Sequence, residues 1–298
     1  MKLSFMQTLF VINPVSGIRK NLEQITGLIR RKYDAAGRGY RIEYTRYAGH
    51  ATELAKSAAR EGVDIVVAVG GDGTMNEVAR GLVHSDSALG IIPGGSGNGF
   101  ARSLNIPLHP EKAIDLLLSA NQKRIDAGMI NEHYFFGVCG LGFDAEIGAR
   151  FQNFGRRGPL PYFYIGVKEY FGYRPERVRF TAENLDVQKD IFLITVANTQ
   201  QYGNGAYIAP QADEQDGFLD VCIVEPFTLP QILANLHRLF NKTVDKFSAY
   251  SSFRCKEITI IRQKEQGWFH TDGEPRQGGK ELKIKVVPGC LKVCHGNK

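Results

Sequence analysis

The stretch Val63-Asp64-Ile65-Val66-Val67-Ala68-Val69, followed at once by Gly70-Gly71-Asp72-Gly73-Thr74, decides the fold. The first part is almost wholly apolar and rich in β-branched residues, which is typical of a central parallel strand covered on both faces. Residues 75–82 then show the spacing of a helix. A buried strand, a glycine turn and a helix in this order predict an α/β domain with a doubly wound sheet.

The same alternation extends over the first 120 or so residues. Short apolar runs end at turns, and apolar residues at spacings of three and four follow them. The predicted strands are 8–13, 40–44, 63–69 and 89–92, and the predicted helices are 18–29, 51–59, 75–82, 100–104 and 111–120. We therefore predict a nucleotide-binding α/β domain over residues 1–122.

The character of the chain changes near Lys123, after which short strands, aromatic residues and turns prevail. A hairpin is expected at Asn131-Glu132 and a helix over 230–240. Further strands are predicted at 177–181, 191–196, 219–224, 257–261 and 282–287. This pattern predicts an antiparallel β-sandwich as a lipid-binding domain over residues 123–298, and we leave open that the last residues return to the first domain.

Composition narrows the class of protein. The chain has 298 residues, of which 43% are hydrophobic and 23% charged, values that exclude a disordered or fibrous chain. No apolar run approaches the ~20 residues of a membrane-spanning helix. The amino-terminal residues turn polar before a signal-peptide core develops, so we expect a cytoplasmic protein. The formal net charge of +6 suits phosphate ligands or an anionic membrane. Because the basic residues are scattered, nucleic acid is the least favoured partner.

The five cysteines do not form a metal motif. Cys290 and Cys294 are the one loose pair, whereas a zinc site needs four ligands. Buried thiols are therefore favoured over a metal site.

Three glycine-containing turns carry the first chemical signal. Small residues let backbone N–H groups approach an anion, and a following helix adds a favourable dipole. Each turn follows a predicted strand, so all three should meet at the carboxyl edge of one sheet, where open α/β sheets bind ligands. No Walker A or GxGxxG pattern occurs in the chain. The turns are Asn13-Pro14-Val15-Ser16-Gly17, Gly70-Gly71-Asp72-Gly73-Thr74 and Pro93-Gly94-Gly95-Ser96-Gly97-Asn98, with Arg102 shortly after the last.

Asp72 has two interpretations. A carboxylate repels phosphate, so its functional role would be to hold a bridging magnesium ion or a hydroxyl. The structural alternative is the N-cap of the following helix.

The acidic residues of the second half are equally ambiguous from the sequence alone. Asp213, Asp216 and the neighbouring Phe218 carbonyl place oxygens around a glycine turn, which suits a hard cation or an acidic hairpin. Asp272-Gly273 is an ordinary hairpin dipeptide. Asp144 and Glu146 fit a substrate headgroup contact or a strand-end pair.

The segment 151–179 mixes aromatic and basic residues. Such a mixture suits a membrane contact, or a sandwich core with a solvated face. His50 and His270 receive no catalytic role.

These motifs together resemble the lipid kinase family that has a diacylglycerol kinase catalytic domain. The family includes bacterial diacylglycerol kinases, YegS-type lipid kinases and sphingosine kinases. The likeness covers essentially the whole chain and is carried by six segments. They are NPVSG (13–17), GGDGT (70–74), PGGSGNGFAR (93–102), GLGFDA (140–145), DEQDGFLD (213–220) and DGEP (272–275). It implies ATP-dependent phosphorylation of a lipid hydroxyl. It also implies a nucleotide domain similar to those of phosphofructokinase and NAD kinase, joined to a β-sandwich.

The resemblance also implies roles for particular residues. Asp272 matches the catalytic base, with Glu274 beside it and Asp72 near the phosphates. Asp213, Asp216 and the Phe218 carbonyl match a structural magnesium site. The cofactors implied are ATP and Mg²⁺, and the partner is a lipid at a membrane surface, with a homodimer left open. The expected nucleotide-binding residues are Asn13, Pro14, Ser16, Gly17, Thr45, Gly70, Gly71, Asp72, Gly73, Thr74, Asn76, Glu77, Gly94, Gly95, Ser96, Gly97, Asn98 and Arg102.

Diacylglycerol is the expected substrate, and three alternatives stay open. Ser96 stands where many bacterial diacylglycerol kinases carry threonine, and Gly-Ser-Gly-Asn is more like the sphingoid-base branch, so a sphingoid base or ceramide is the first alternative. Residues 198–205 keep only part of a glycine-rich stretch that the family usually has, so we assign no ligand contact to them. An NAD kinase shares GGDGT but lacks PGGSGNGFAR. A non-catalytic nucleotide-binding or lipid-binding protein would not need a base at Asp272.

Overall fold

A computed structural model describes residues 6–119, 121–151, 166, 168–183 and 185–297. The chain forms two compact units. One consists of Met1–Ile125 with Gly289–Lys298, and the other of Asp126–Pro288. Each unit is described by itself.

The first unit contains a parallel sheet. Its strands are β1 (Gln7–Ile12), β2 (Gly39–Tyr44), β3 (Ile65–Gly70) and β4 (Ala88–Pro93), in the order β4-β3-β1-β2. Every residue of β3 and β4 is buried, as their apolar sequences predict. The end of the last strand, β16 (Glu274–His295), runs parallel to β4 through Lys292 and Val293.

Helices follow the strands of this sheet, which confirms the doubly wound α/β fold. They are α1 (Leu22–Ala35), α2 (His50–Arg60), α3 (Asp72–Leu82), α4 (Gly99–Ser103) and α5 (Pro110–Leu118). The first helix begins later than predicted, because Arg19–Asn21 forms a 3-10 turn before it. Ile25, Ile29 and Tyr33 bury one face of α1.

The second unit is an antiparallel β-sandwich, as predicted. One run of strands has the order β14-β13-β10-β7-β15, while β15 also pairs with β8 and β16. Apolar side chains from these strands, such as Leu141 on β7, Phe180 on β8 and Ile260 on β15, form one core. The strands are β5 (Asn121–Ile130), β6 (His133–Phe135), β7 (Val138–Gly142), β8 (Glu176–Ala182), β9 (Leu185–Ile191), β10 (Leu193–Ala197), β11 (Gln201–Gly203), β12 (Ala206–Tyr207), β13 (Leu219–Val224), β14 (Tyr250–Cys255) and β15 (Glu257–Thr271).

Several elements of this unit differ from the sequence-based expectation. Strands β9 and β14 were not predicted, nor was the helix α6 (Phe143–Phe151). The helix expected over 230–240 is shorter, since α7 (Leu229–Asn235) passes into a 3-10 helix at Leu236–Leu239. The predicted hairpin at Asn131-Glu132 is confirmed, with Ile130 paired to His133.

The five cysteines are buried free thiols, as expected. Among the described residues, none of the helices combines the length and the apolar character needed to cross a membrane.

Candidate active site

The turns after β1, β3 and β4 contact one another at the carboxyl edge of the parallel sheet. The Gly94 amide donates to the Gly70 carbonyl at 2.7 Å. The Asn13 side-chain amide donates to the Thr74 hydroxyl at 3.1 Å. The three glycine-containing turns predicted from the sequence therefore form one continuous surface within the first unit.

Glycine is required in these turns because their backbones approach so closely. A Cβ on Gly17 would lie 2.2 Å from the Gly94 carbonyl oxygen. A Cβ on Gly95 would lie 2.9 Å from the Gly71 Cα. Contacts between the turns thus require glycine independently of any bound anion.

Asp72 connects the turn after β3 to the turn after β4. Its Oδ2 accepts the Asn98 N–H at 2.9 Å. The Asn98 side chain in turn bonds the N–H and C=O of Gly95 at 3.0 and 2.8 Å. Burial raises the pKa of Asp72. The hydrogen bonds from the backbone amides of Asn98 and Gly99 lower it, but by less than burial raises it. The N-cap of α3 is Gly71, so the N-cap interpretation of Asp72 was wrong.

Asn76 and Glu77 lie in the first turns of α3 but have different surroundings. Asn76 is only 1% exposed, and neither its amide nitrogen nor its oxygen has a hydrogen-bond partner among the described residues. Glu77 instead holds the start of α2, because its Oε2 accepts the Ala51 N–H at 3.2 Å. The orphaned amide of Asn76 is a polar group for which the described chain provides no partner.

The other expected nucleotide-binding residues lie around these turns. The Thr45 N–H extends the β1–β2 pairing by donating to the Ile12 carbonyl at 2.9 Å. The Ser16 hydroxyl is bonded to the Asn13 carbonyl at 2.8 Å. Ser96 is exposed, and Arg102 is an exposed residue of α4.

Asp272 lies in the second unit, in the two-residue turn between β15 and β16. Both turn residues have positive φ, 50° at Asp272 and 80° at Gly273, as a primed hairpin turn requires. The carboxylate accepts three backbone N–H groups, from Phe136 at 2.9 Å on Oδ2 and from Gly137 and Val138 at 2.7 and 2.9 Å on Oδ1. Burial outweighs these bonds and raises the pKa of Asp272 to about 6.

Glu274 lies one residue beyond this turn and is bound to an arginine. Arg276 donates to Glu274 Oε2 and to the Thr271 hydroxyl, both at 3.0 Å. The negative charge of Glu274 also contributes to the raised pKa of Asp272. Glu274 therefore belongs to the surroundings of the turn.

A second acidic side chain lies beside the same turn and was not connected with it by the sequence. Asp144 is in the first turn of α6, so the strand-end interpretation was wrong. Its Oδ2 lies 3.0 Å from Nε2 of His270. The two residues are 126 positions apart in the chain. The sequence hinted at a role for His270 only through its position two residues before Asp272, and it gave no sign of the contact with Asp144.

The loop containing Asp213 and Asp216 is held by its own polar contacts. Asp213 and Asp216 each accept an N–H two residues ahead at 2.9 Å, from Gln215 and Phe218. The other oxygen of Asp216 pairs with Arg254, whose guanidinium lies 4.8 Å from the centre of the Phe218 ring. Among the described residues, no three acidic, histidine or cysteine side chains form a metal-binding group.

Most of the predicted aromatic and basic segment 151–179 lies outside the described residues. In the described part, Tyr170 and Tyr173 pack on Phe192. Phe171, by contrast, is 73% exposed. Both core and surface aromatics are therefore present in this part of the segment.

Two family models together match nearly the whole chain. The diacylglycerol kinase catalytic domain matches residues 7–130. The YegS C-terminal NAD kinase beta sandwich-like domain matches residues 137–295.

Individual proteins show the same likeness. The diacylglycerol kinase of Bacillus subtilis is 33% identical over 75% of both chains. A probable lipid kinase YegS of Salmonella typhimurium is 30% identical over 97% of this chain and 96% of its own. A putative diacylglycerol kinase from Bacillus anthracis superposes with a TM-score of 0.80 at 23% identity, covering 99% of both chains, which shows a shared fold.

Proposed function

Because the chain belongs to the diacylglycerol kinase and YegS family of ATP-dependent lipid kinases, we propose that it transfers the γ-phosphoryl group of ATP to the hydroxyl of diacylglycerol, giving phosphatidic acid. The choice of diacylglycerol is supported by the Bacillus subtilis relative, which bears that name and is 33% identical. A sphingoid base is the second candidate, because Ser96 stands within a Gly-Ser-Gly-Asn sequence like that of the sphingoid-base branch.

The first unit would bind the nucleotide. The glycine turns are already packed together, so binding a phosphate would not have to order them first. The N-terminus of the 11-residue α3 adds a favourable dipole for an anion. The orphaned amide of Asn76 supports a polar ligand near this helix. On this proposal the unit is a nucleotide-binding domain.

Magnesium fits the carboxylate of Asp72, because a hard cation prefers oxygen ligands and would separate that carboxylate from the phosphates. When bound, the ion would neutralise charge on the transferring phosphoryl group. The second site, at Asp213, Asp216 and the Phe218 carbonyl, also offers oxygens. Arg254 already neutralises Asp216 there, so a cation would have to displace that guanidinium.

The observation that carries the proposed chemistry is the state of Asp272. Within the described part of the chain, Oδ2 accepts one hydrogen bond, from Phe136, and so keeps a lone pair for a substrate hydroxyl. With a pKa of about 6, the carboxylate is largely ionised at neutral pH and still basic enough to accept a proton. Oδ2 would take the hydroxyl proton as the lipid oxygen bonds to the γ-phosphorus. The bond from that phosphorus to the β-phosphate oxygen breaks, and ADP leaves.

The lipid partner implies contact with a membrane surface. We propose that the segment 229–240 takes part in it. None of the residues of α7 or of the following 3-10 helix is buried, and Leu233 and Phe240 are 63% and 57% exposed. The basic side chains of His237 and Arg238 lie between them in sequence and suit an anionic surface.

Phosphoryl transfer from γ-labelled ATP tests the proposal. Vesicles that contain diacylglycerol, sphinganine or ceramide would be compared, with NAD as a fourth acceptor and Asp272→Asn as the inactive control. Labelled phosphatidic acid is expected. Labelled sphinganine phosphate in its place would favour the second candidate, and labelled NADP with no labelled lipid would refute a lipid kinase.

A further inference from the structure

A buried polar pair lies directly beside the Asp272 turn. His270 Nε2 is 3.0 Å from Asp144 Oδ2, and their side chains are 5% and 10% exposed. Asp144 Oδ1 accepts the Ala145 N–H at 2.8 Å, which fixes the orientation of the carboxylate. The Tyr202 hydroxyl lies 3.3 Å from Oδ2 and is bonded on its other side to Thr195. The imidazole therefore faces a carboxylate that is held in place.

The strands are arranged to make room for this pair. His270 on β15 is opposite Gly140 on β7, and Gly140 is opposite Thr195 on β10. A Cβ on Gly140 would lie 2.8 Å from both Asp144 Oδ2 and His270 Nε2. The bare backbone of Gly140 is what allows the carboxylate and the imidazole to meet over the sheet.

The contacts of the imidazole determine its tautomer. Nδ1 of His270 accepts the Gly273 N–H at 3.4 Å. A neutral imidazole has one proton, so an accepting Nδ1 places that proton on Nε2, where it is donated to Asp144. The opposite tautomer would set an Nδ1–H against the Gly273 N–H.

We propose that His270, oriented by Asp144, is a positioning residue for Asp272, an inference that rests on the proposed role of Asp272 as the base. The backbone amides of residues 136–138 hold the carboxylate, and His270 holds the following amide of the turn. Asp272 itself has a φ of 50°, in the left-handed region that costs a non-glycine residue free energy, so the contact from His270 helps to hold the turn. A shift of about 1 Å in a reacting group can cost about 10²-fold in rate, so loss of this support should lower kcat.

Asp144→Asn tests the orientation without changing side-chain shape. Oδ1 must stay a carbonyl oxygen to accept the Ala145 N–H, so the new NH₂ group faces His270 and drives its proton to Nδ1. His270→Leu removes both contacts. We expect each variant to lower kcat for lipid phosphorylation about 10²-fold, with the KM for ATP unchanged. His109→Gln, at an exposed histidine just before α5, is the matched control and should behave as wild type.

Nitrogen-15 NMR of the imidazoles shows whether Asp144 sets the tautomer of His270, while the split between kcat and the KM for ATP separates a positioning role from a merely structural one. The wild type should show a His270 proton on Nε2, and Asp144→Asn should move it to Nδ1. Circular dichroism would check folding, and if His270→Leu does not fold, the isosteric Asp144→Asn decides the kinetic test.

Two results would overturn the inference. One is a wild-type proton on Nδ1, and the other is wild-type kcat in Asp144→Asn while Asp272→Asn is inactive. Failure of the proposed function would look different from failure of this inference, because the wild type would then transfer as little phosphate to lipid as Asp272→Asn does. The tautomer then decides alone, and a spectrum that Asp144→Asn leaves unchanged would refute the role of Asp144.

Discussion

Asp272 combines a hydrogen-bonded carboxylate with a raised pKa. An asparagine at this position can keep the hydrogen bonds from Gly137 and Val138 on its carbonyl oxygen, but its NH₂ group would face the Phe136 N–H and cannot act as a base. We expect Asp272→Asn to lower kcat by about 10²–10⁴-fold, the usual contribution of a general base. The Kd of an ATP analogue, measured by calorimetry, should stay at the wild-type value. A variant with a weaker Kd and full kcat would contradict this role.

The raised pKa of Asp272 also predicts a pH dependence. The base must be ionised to accept a proton, so activity is present above the pKa of about 6 and is lost as pH falls through it. The acid limb of kcat/KM for the lipid should therefore have its midpoint near pH 6. Asp220 has a pKa that burial also raises to about 6, so Asp220→Asn is the control, and its limb should be unchanged. If the midpoint of the acid limb moved in Asp220→Asn, the titrating group would be Asp220 and not Asp272.

The glycine contacts predict a sharp contrast between two alanine substitutions. Gly17→Ala places a Cβ 2.2 Å from a backbone oxygen. We expect a loss of about 1–3 kcal/mol in the free energy of unfolding and weaker nucleotide binding. Gly27 in α1 has open space around it, so Gly27→Ala should stabilise the protein by about 0.5–1 kcal/mol. Equal effects in chemical denaturation would show that close packing is not the cause.

At the scale of residues, the sequence predicts those features that residues adjacent in the chain determine. The glycine turns and the Asp272-Gly273 turn could be placed because each is a local pattern between strands. The contact between Asp144 and His270 could not, because it joins residues 126 positions apart across β7. The bond from Asp72 to Asn98 was missed for the same reason.

At the scale of elements, the exposed segment 229–240 gives a prediction about binding to membranes. Replacing both Leu233 and Phe240 by serine removes two exposed apolar side chains. Binding to anionic phospholipid vesicles should weaken by at least about tenfold, since each buried side chain contributes about 1.5 kcal/mol or more. Leu108→Ser, at an exposed leucine of the first unit, is the control for vesicle sedimentation. Equal binding by the double variant and the control would exclude this segment from the contact.

The elements differ in how well their sequences reveal them. Strand β3 is buried throughout and apolar throughout, so its prediction was straightforward. Strand β9 is half-exposed and carries Asp186, Gln188, Lys189 and Asp190, so its sequence resembles a loop. Helix α6 begins directly after Gly142, whose φ of 101° ends β7, and that conformation has no clear signal in the sequence.

At the scale of the whole molecule, the last strand makes the first unit depend on the end of the chain. Leu291 is fully buried in the part of β16 that belongs to that unit. Leu291→Ala should lower the free energy of unfolding by about 2–5 kcal/mol. Its neighbour Lys292 is partly exposed, so Lys292→Ala should change it by less than about 0.5 kcal/mol in urea titration. Similar midpoints for the two variants would mean that the strand end contributes little.

The close approach of Gly17 to Gly94 and of Gly71 to Gly95 also bears on how inactive relatives should be recognised. A descendant that had lost phosphoryl transfer would still need Gly17 and Gly95 to fold, because a Cβ at either position would lie less than 3.0 Å from a backbone atom of the facing turn whether or not a nucleotide is present. The motifs would then survive in a pseudokinase. Retention of the acidic side chain at position 272 is therefore the more discriminating mark of a working enzyme.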